Sequence, residues 1–120
     1  MLKTARFFNF LLVFAVLYLC QINTSASQTR TQKNAQAYQK ICEGNLLTEN
    51  GQYQDAIQAY QKAVALNPKN PKPYYYISFL YAELSAFEKA ISYAEKSLQH
   101  TPLYPEAHAL LGAISFIVTI

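Results

Sequence analysis

The feature that most limits what this chain can become is a repeat. Displaced by 34 positions, the sequence falls on itself: Gly44 on Ser78 and then Gly112, Glu49 on Glu83, Tyr53 on Phe87, Ala56-Ile57 on Ala90-Ile91, Lys62 on Lys96, Ala63 on Ser97, Pro68 on Pro102 and Pro71 on Pro105. Periods of this length mark stacked supersecondary units, each unable to bury its apolar face without a neighbour. An all-α solenoid follows, in a chain of 120 residues, about the size of one small domain.

Each unit reads as a pair of helices. Ala35 to Glu49 is rich in helix formers and is broken by Asn50-Gly51, where the glycine suits the left-handed conformation that ends a helix. From Gln52 to Leu66, Tyr53, Ala56, Ile57, Tyr60, Ala63 and Val64 recur at intervals of three and four and form one apolar stripe. Asn67-Pro68 closes that helix, because proline disfavours helical geometry in the residue before it. The second unit opens at Pro71, acceptable in a first turn, and its first helix runs to about Leu84. Its second helix carries Phe87, Ala90, Ile91, Ala94 and Leu98 and ends at Thr101-Pro102. Ser85-Ala86 stands at the inner bend in place of glycine, so a turn of another type is expected there. Tyr74, Ile77, Leu80 and Tyr81 are the core candidates of the second unit's first helix.

The beginning of the chain has a different character. Lys3 and Arg6 precede an apolar run from Phe7 to Cys20, broken by Asn9 and followed by small residues at 24–27. This is the pattern of a secretory signal peptide over 1–27, and it sets the expectation of export to the periplasm or extracellular space. The alternative is an uncleaved membrane anchor over 7–22, short against the ~20 residues a span needs. Lipidation at Cys20 is disfavoured by the bulky Leu17, Tyr18 and Leu19 before it. Residues 28–34 are polar, without periodicity, and read as a flexible linker to a repeat domain at 35–120.

Charge and chemistry exclude several classes. The net charge of +3 includes Lys3 and Arg6; without them 8 basic side chains face 7 acidic ones. That is too even for nucleic acid or for anionic lipid. The three glycines are scattered at 44, 51 and 112 and cannot make a phosphate-cradling loop, and no nucleophile motif of the G-x-S-x-G kind occurs. His100 and His108 fall on different helices with no further ligands at metal spacing. Glu43, one turn from Lys40, reads as a solvated ion pair. Cys42 reads as a small buried hydrophobe. No catalytic residue, cofactor or metal is expected.

The run from Gly51 to Pro68, with its small residue, its aromatic, its alanines and its closing proline, resembles the second half of a tetratricopeptide repeat. The first helices match more loosely: Glu43 stands where that family prefers leucine and Lys40 where it prefers an aromatic, and Tyr74 and Ile77 restore both features. The resemblance covers two full repeats, 37–70 and 71–104, and a partial third, 105–120. It implies a scaffold that binds a protein or peptide segment in a concave groove lined by the first helix of each repeat. Carried over by position, the groove comprises Tyr38, Ile41, Asn45, Thr48 and Glu49 from the first repeat, and Lys72, Tyr75, Phe79, Ala82 and Glu83 from the second. Glu106, Ala109 and Ala113 extend it into the third. Some members clamp a C-terminal carboxylate with lysines and asparagines. Here Asn45 is present, but Ile41, Tyr76 and Glu106 replace the rest, so binding of that kind is not expected.

The other end is apolar nearly all round at Phe116, Ile117, Val118 and Ile120. A truncated array, self-association through Phe116, Ile117 and Ile120, and contact with a membrane surface all remain open. Two further functional readings stand beside the scaffold: a regulatory repeat fragment of a longer enzyme, and a homo-oligomeric structural protein.

Overall fold

The computed structural model describes the backbone of residues 2–119, and the side chains of these apart from those at 2–8, 22–26 and 28. The described residues form five α-helices: α1 Leu2–Glu49, α2 Tyr53–Leu66, α3 Pro71–Glu83, α4 Phe87–His100 and α5 Pro105–Thr119. The all-α architecture expected from the repeat is the one observed. Two compact units divide the chain, Met1–Lys33 and Asn34–Ile120.

In the first unit, α1 carries a run from Phe10 to Leu19 whose large apolar side chains are 55–74% exposed. Among the described residues, no helix is long and apolar enough to cross a membrane. Much of the pattern that suggested a signal peptide, including Lys3, Arg6 and Thr24 to Ala26, lies outside the described side chains. The stretch 28–34, expected as a flexible linker, is instead helical and continuous with α1. It contains neither glycine nor proline, so nothing in it stops a helix once one is established.

In the second unit the period becomes geometry. The bounds of α2, 53 and 66, reappear in α4 as 87 and 100, and α1 and α3 end at equivalent glutamates, Glu49 and Glu83. α2 packs on α3, α3 on α4, and α4 on α5, while α3 also touches α5. The core between α1, α2 and α3 is built from Ile41, Ala56, Ile57, Tyr60, Ala63, Ile77 and Leu80. Further along, Ala90, Ala94, Ala107 and Ile114 are almost fully enclosed. Alanines at 56, 63, 90 and 94 let neighbouring helix backbones come close, and the larger side chains fill the intervals.

Helix ends follow from local chemistry. Asn70 caps α3 by accepting from the Lys72 N–H at 3.1 Å, and Pro71 occupies the first turn, where no N–H is needed. Ser97, buried, donates to the Pro71 carbonyl at 3.0 Å, and Tyr74 donates to Pro68 O at 3.0 Å, so both sides of the inter-repeat connection are tied down.

The inner bends correct one expectation. At the first, Gly51 has φ +76°, with Gly51 N–H bonded to Thr48 O and Gln52 N–H to Leu47 O. At the second, Ser85 has φ +59°, with Ser85 N–H bonded to Ala82 O and Ala86 N–H to Tyr81 O. The two bends are the same motif, a left-handed residue closing a pair of helix-end hydrogen bonds. Packing of the second repeat holds serine in a conformation that L-residues avoid by about 1 kcal/mol. Ser85→Gly is therefore expected to raise stability by roughly 0.5–1 kcal/mol, the strain relieved less the chain entropy glycine adds; a urea midpoint equal to or below that of the parent would contradict it.

Candidate functional site

The side chains that stand out are on the first helices of the repeats. Residues of α1 and α3, with Tyr60 from α2, enclose a cleft of about 360 Å³ lined by Asn45, Thr48, Glu49, Tyr60, Tyr75, Tyr76, Phe79 and Leu80. Tyr60 is 2% exposed and its hydroxyl donates to Asn45 Oδ1 at 2.7 Å. Thr48 donates to the Gly44 carbonyl at 2.8 Å and lies 3.4 Å from the Tyr60 hydroxyl. These bonds fix the polar wall on α1. The opposite wall is aromatic and continuous: Tyr60 and Tyr76 are 5.2 Å apart between ring centroids, Tyr75 and Tyr76 5.7 Å, and Tyr75 meets Tyr104 edge-on at 5.6 Å. Such contacts keep the rings rigid and so reduce the entropy lost when a ligand lands on them.

Tyr60 comes so close to α1 because position 44 is glycine. A Cβ there would lie 2.5–2.8 Å from three atoms of the Tyr60 ring. One period on, Ser78 is buried and its hydroxyl donates to the carbonyl of Ala90 on α4. One further period on, a Cβ on Gly112 would meet nothing within 4 Å. The same repeat position thus admits a ring, a hydroxyl bonded to backbone, and open space.

Of the residues carried over from the family pattern, Asn45, Thr48, Glu49, Tyr75 and Phe79 come together around this cleft. Ile41 does not: at 7% exposure it belongs to the core beside Tyr60 and Ile77. Cys42, next to it on α1, lies at the surface and not in the interior as expected. Tyr38 is 67% exposed, and Lys72, Ala82 and Glu83 lie on α3 outside the cleft lining. The position rule missed Tyr60, Tyr76 and Leu80. Tyr60 is a second-helix residue, and only the glycine at 44 could have signalled that its ring reaches through to the groove. Lys40 and Glu43 form the expected exposed ion pair at 2.6 Å, which holds the Glu43 carboxyl below its ordinary range.

Burial raises the phenols of Tyr60, Tyr74, Tyr75, Tyr81 and Tyr104, and at Tyr75 and Tyr104 the Glu106 carboxylate adds to it. Tyr104 is pushed up to about 12. In the unfolded chain these groups ionise near pH ~10. The folded state holds their protons longer, so the stability they contribute is complete below that pH and is lost as pH climbs toward 12. Denaturant midpoints should stay flat from pH 8 to about 9.5 and then fall, with part of the phenolate absorbance appearing late; a single simple tyrosine titration near 10 would contradict this.

A stack of helix pairs in this register, open along its first helices, is a tetratricopeptide-repeat solenoid. The comparisons agree. Residues 44–85 match the family model described as TPR repeat. The chain is 29% identical over 75 residues to Hsp70-Hsp90 organizing protein 2 of Arabidopsis thaliana, covering 62% of this chain and 13% of that protein. It therefore spans about an eighth of the length of that relative. Among solved structures, the second TPR of Spaghetti bound to an HSP90 peptide superposes with a TM-score of 0.72 at 21% identity, covering 77% of this chain and 84% of that one. The first TPR of the same protein, also bound to an HSP90 peptide, gives 0.70 at 26% identity, with coverage of 72% and 70%. The fold is that of a tetratricopeptide-repeat solenoid, and residues 44–85 carry the sequence of such a repeat.

Proposed function

We propose that the protein is a non-catalytic scaffold that captures an extended peptide or protein segment in the cleft between α1 and α3. The observation that carries this reading is the cleft itself: a cavity of about 360 Å³ with an aromatic wall from α3 and Tyr60 and with amide, hydroxyl and carboxylate groups from α1. Rigid aromatic faces beside a few polar groups are what peptide-binding hot spots consist of. The peptide-bound Spaghetti domains support the same use of the surface.

The test is selection of binders from a random-peptide display library on the full chain. Clones seated in the cleft should lose affinity roughly five- to thirtyfold on Phe79→Ala, a truncation at a site already 41% exposed, and should be unaffected by Gln58→Ala on the exposed side of α2. Binding that ignores Phe79 and Tyr75 would place recognition elsewhere.

Two finer readings belong to the same proposal. Export rests on the Lys3-to-Ser27 pattern, and the mass of the mature chain recovered from outside the cytoplasm decides it; a chain retained inside with its first residues intact overturns it. Self-association rests on α5, where Phe116, Ile117 and Val118 are 52–68% exposed and a Cβ on Gly112 would meet nothing within 4 Å; Ile120 lies outside the described residues. Light scattering on the parent and on Ile117→Glu decides it, and a monomeric parent sinks it.

A further inference from the structure

The charges around the cleft say what kind of peptide it suits. Among its lining residues the single charged one is Glu49. Glu49 is exposed and closes α1, a helix with no basic residue in its last turn, so its carboxylate adds to the negative end of the helix dipole. Glu83 occupies the equivalent place on α3, again with no base in the last turn. Glu106 is near enough to Tyr75 and Tyr104 to disfavour their ionised forms. Lys72, at the far end of α3 from Glu83, is the lone base among the groove positions. Among the described residues one ion pair is present, Lys40–Glu43, and neither Glu49, Glu83 nor Glu106 takes part in it.

Two lysines are engaged with tyrosines elsewhere. Lys96 Nζ sits 4.7 Å from the centre of the Tyr93 ring, and Lys89 Nζ sits 5.5 Å from that of Tyr81. In this same chain, then, a tyrosine face beside an ammonium group is a contact already in use, and both examples involve lysines on α4. Among the described residues, the cleft rings Tyr60, Tyr75 and Tyr76 pack on one another and on Tyr104, with no cation over them. The cleft thus presents the aromatic and anionic parts of a cation site.

We propose that the cleft takes a basic peptide segment, with a lysine or arginine side chain lying against the tyrosine faces of α3 and its charge opposed by Glu49. This rests on the groove reading above and sharpens it. It also sets this chain apart from its structural neighbours: the peptide SRMEEVD on the Spaghetti domains is acidic, and the fixed charge lining this cleft would repel it.

The experiment uses the clones from the display selection whose binding depends on Phe79. They should be enriched in lysine and arginine and depleted in aspartate and glutamate. Synthetic versions should lose roughly three- to tenfold in affinity against Glu49→Gln, the size of one partly exposed ion pair strengthened by an aromatic neighbour. Replacing the key base in the peptide by norleucine should abolish that sensitivity, and Glu49→Lys should shift the preference toward acidic sequences. If the Phe79-dependent clones are neutral or acidic, or if basic ones bind Glu49→Gln as tightly as the parent, the charge assignment falls and the peptide groove stands. If no clone depends on Phe79, both fall.

Discussion

Tyr60→Ala is expected to remove about 3–5 kcal/mol of stability and to abolish the cleft with it. The side chain is 2% exposed, packs with Ile41, Ile57 and Ile77 in the main core, and forms part of the cleft wall. Truncating a buried aromatic loses both its transfer free energy and the contacts of atoms left facing a void, and two neighbouring helices cannot collapse far enough to refill a ring-sized hole. For a small domain with ~5–15 kcal/mol in hand, that brings the fold to the edge of unfolding at ambient temperature. Tyr60→Phe separates the two roles. It retains the ring and deletes the hydroxyl bonded to Asn45, at a cost of about 1 kcal/mol. Urea denaturation followed by circular dichroism reads both. A Tyr60→Ala variant within 1 kcal/mol of the parent would mean that the ring does not wedge the repeats together.

Gly44→Ala and Gly112→Ala are the same substitution at the same repeat position, and they should act in opposite directions. In a helix interior, alanine is favoured over glycine by about 1 kcal/mol. At 112 nothing opposes that gain, since a Cβ meets no atom within 4 Å, and the variant should be stabilised by roughly that amount. At 44 the new Cβ would lie 2.5–2.8 Å from the Tyr60 ring, whose own position is fixed by burial and by its bond to Asn45. Overpacking of this kind costs about 1–3 kcal/mol, so the net effect should be destabilising in spite of the propensity. The two effects also identify the partner: the combined Gly44→Ala and Tyr60→Ala variant should be less damaged than the sum of the two single changes. Equal responses at 44 and 112 would show that the approach of Tyr60 to α1 is not tight.

The repeat made most of the fold legible in advance. Proline at 68, 71, 102 and 105 and glycine at 51 act locally, through fixed φ, a missing donor or a permitted positive φ, so they mark helix ends wherever the chain is placed. The apolar stripe of α2 is equally local, and Ala56, Ile57, Tyr60 and Ala63 are buried as the spacing requires. The candidate cleft was only partly legible. Position alone led to Asn45, Thr48, Glu49, Tyr75 and Phe79, but it placed Ile41 in the groove and Cys42 in the core. Those two are adjacent on α1, and about 100° of helix rotation separates them; which of them turns inward depends on how α1 rolls against α2 and α3.

By itself, then, the sequence determined the number of the repeat helices and, apart from the start of α1, their limits, together with their all-α stacking and the stripe each presents to its neighbours. These depend on backbone stereochemistry and on the 3.6-residue period, which need no partner to act. Tertiary structure decided the rest. It gave Ser85 the left-handed φ of Gly51, because the hydrogen bonds closing that bend and the packing of α3 on α4 outweigh about 1 kcal/mol of local strain. It brought Tyr60 through to the cleft over Gly44 while leaving Gly112 open. Each of these is a balance between a local preference and contacts between residues distant in sequence, and its sign is set only when the helices are packed.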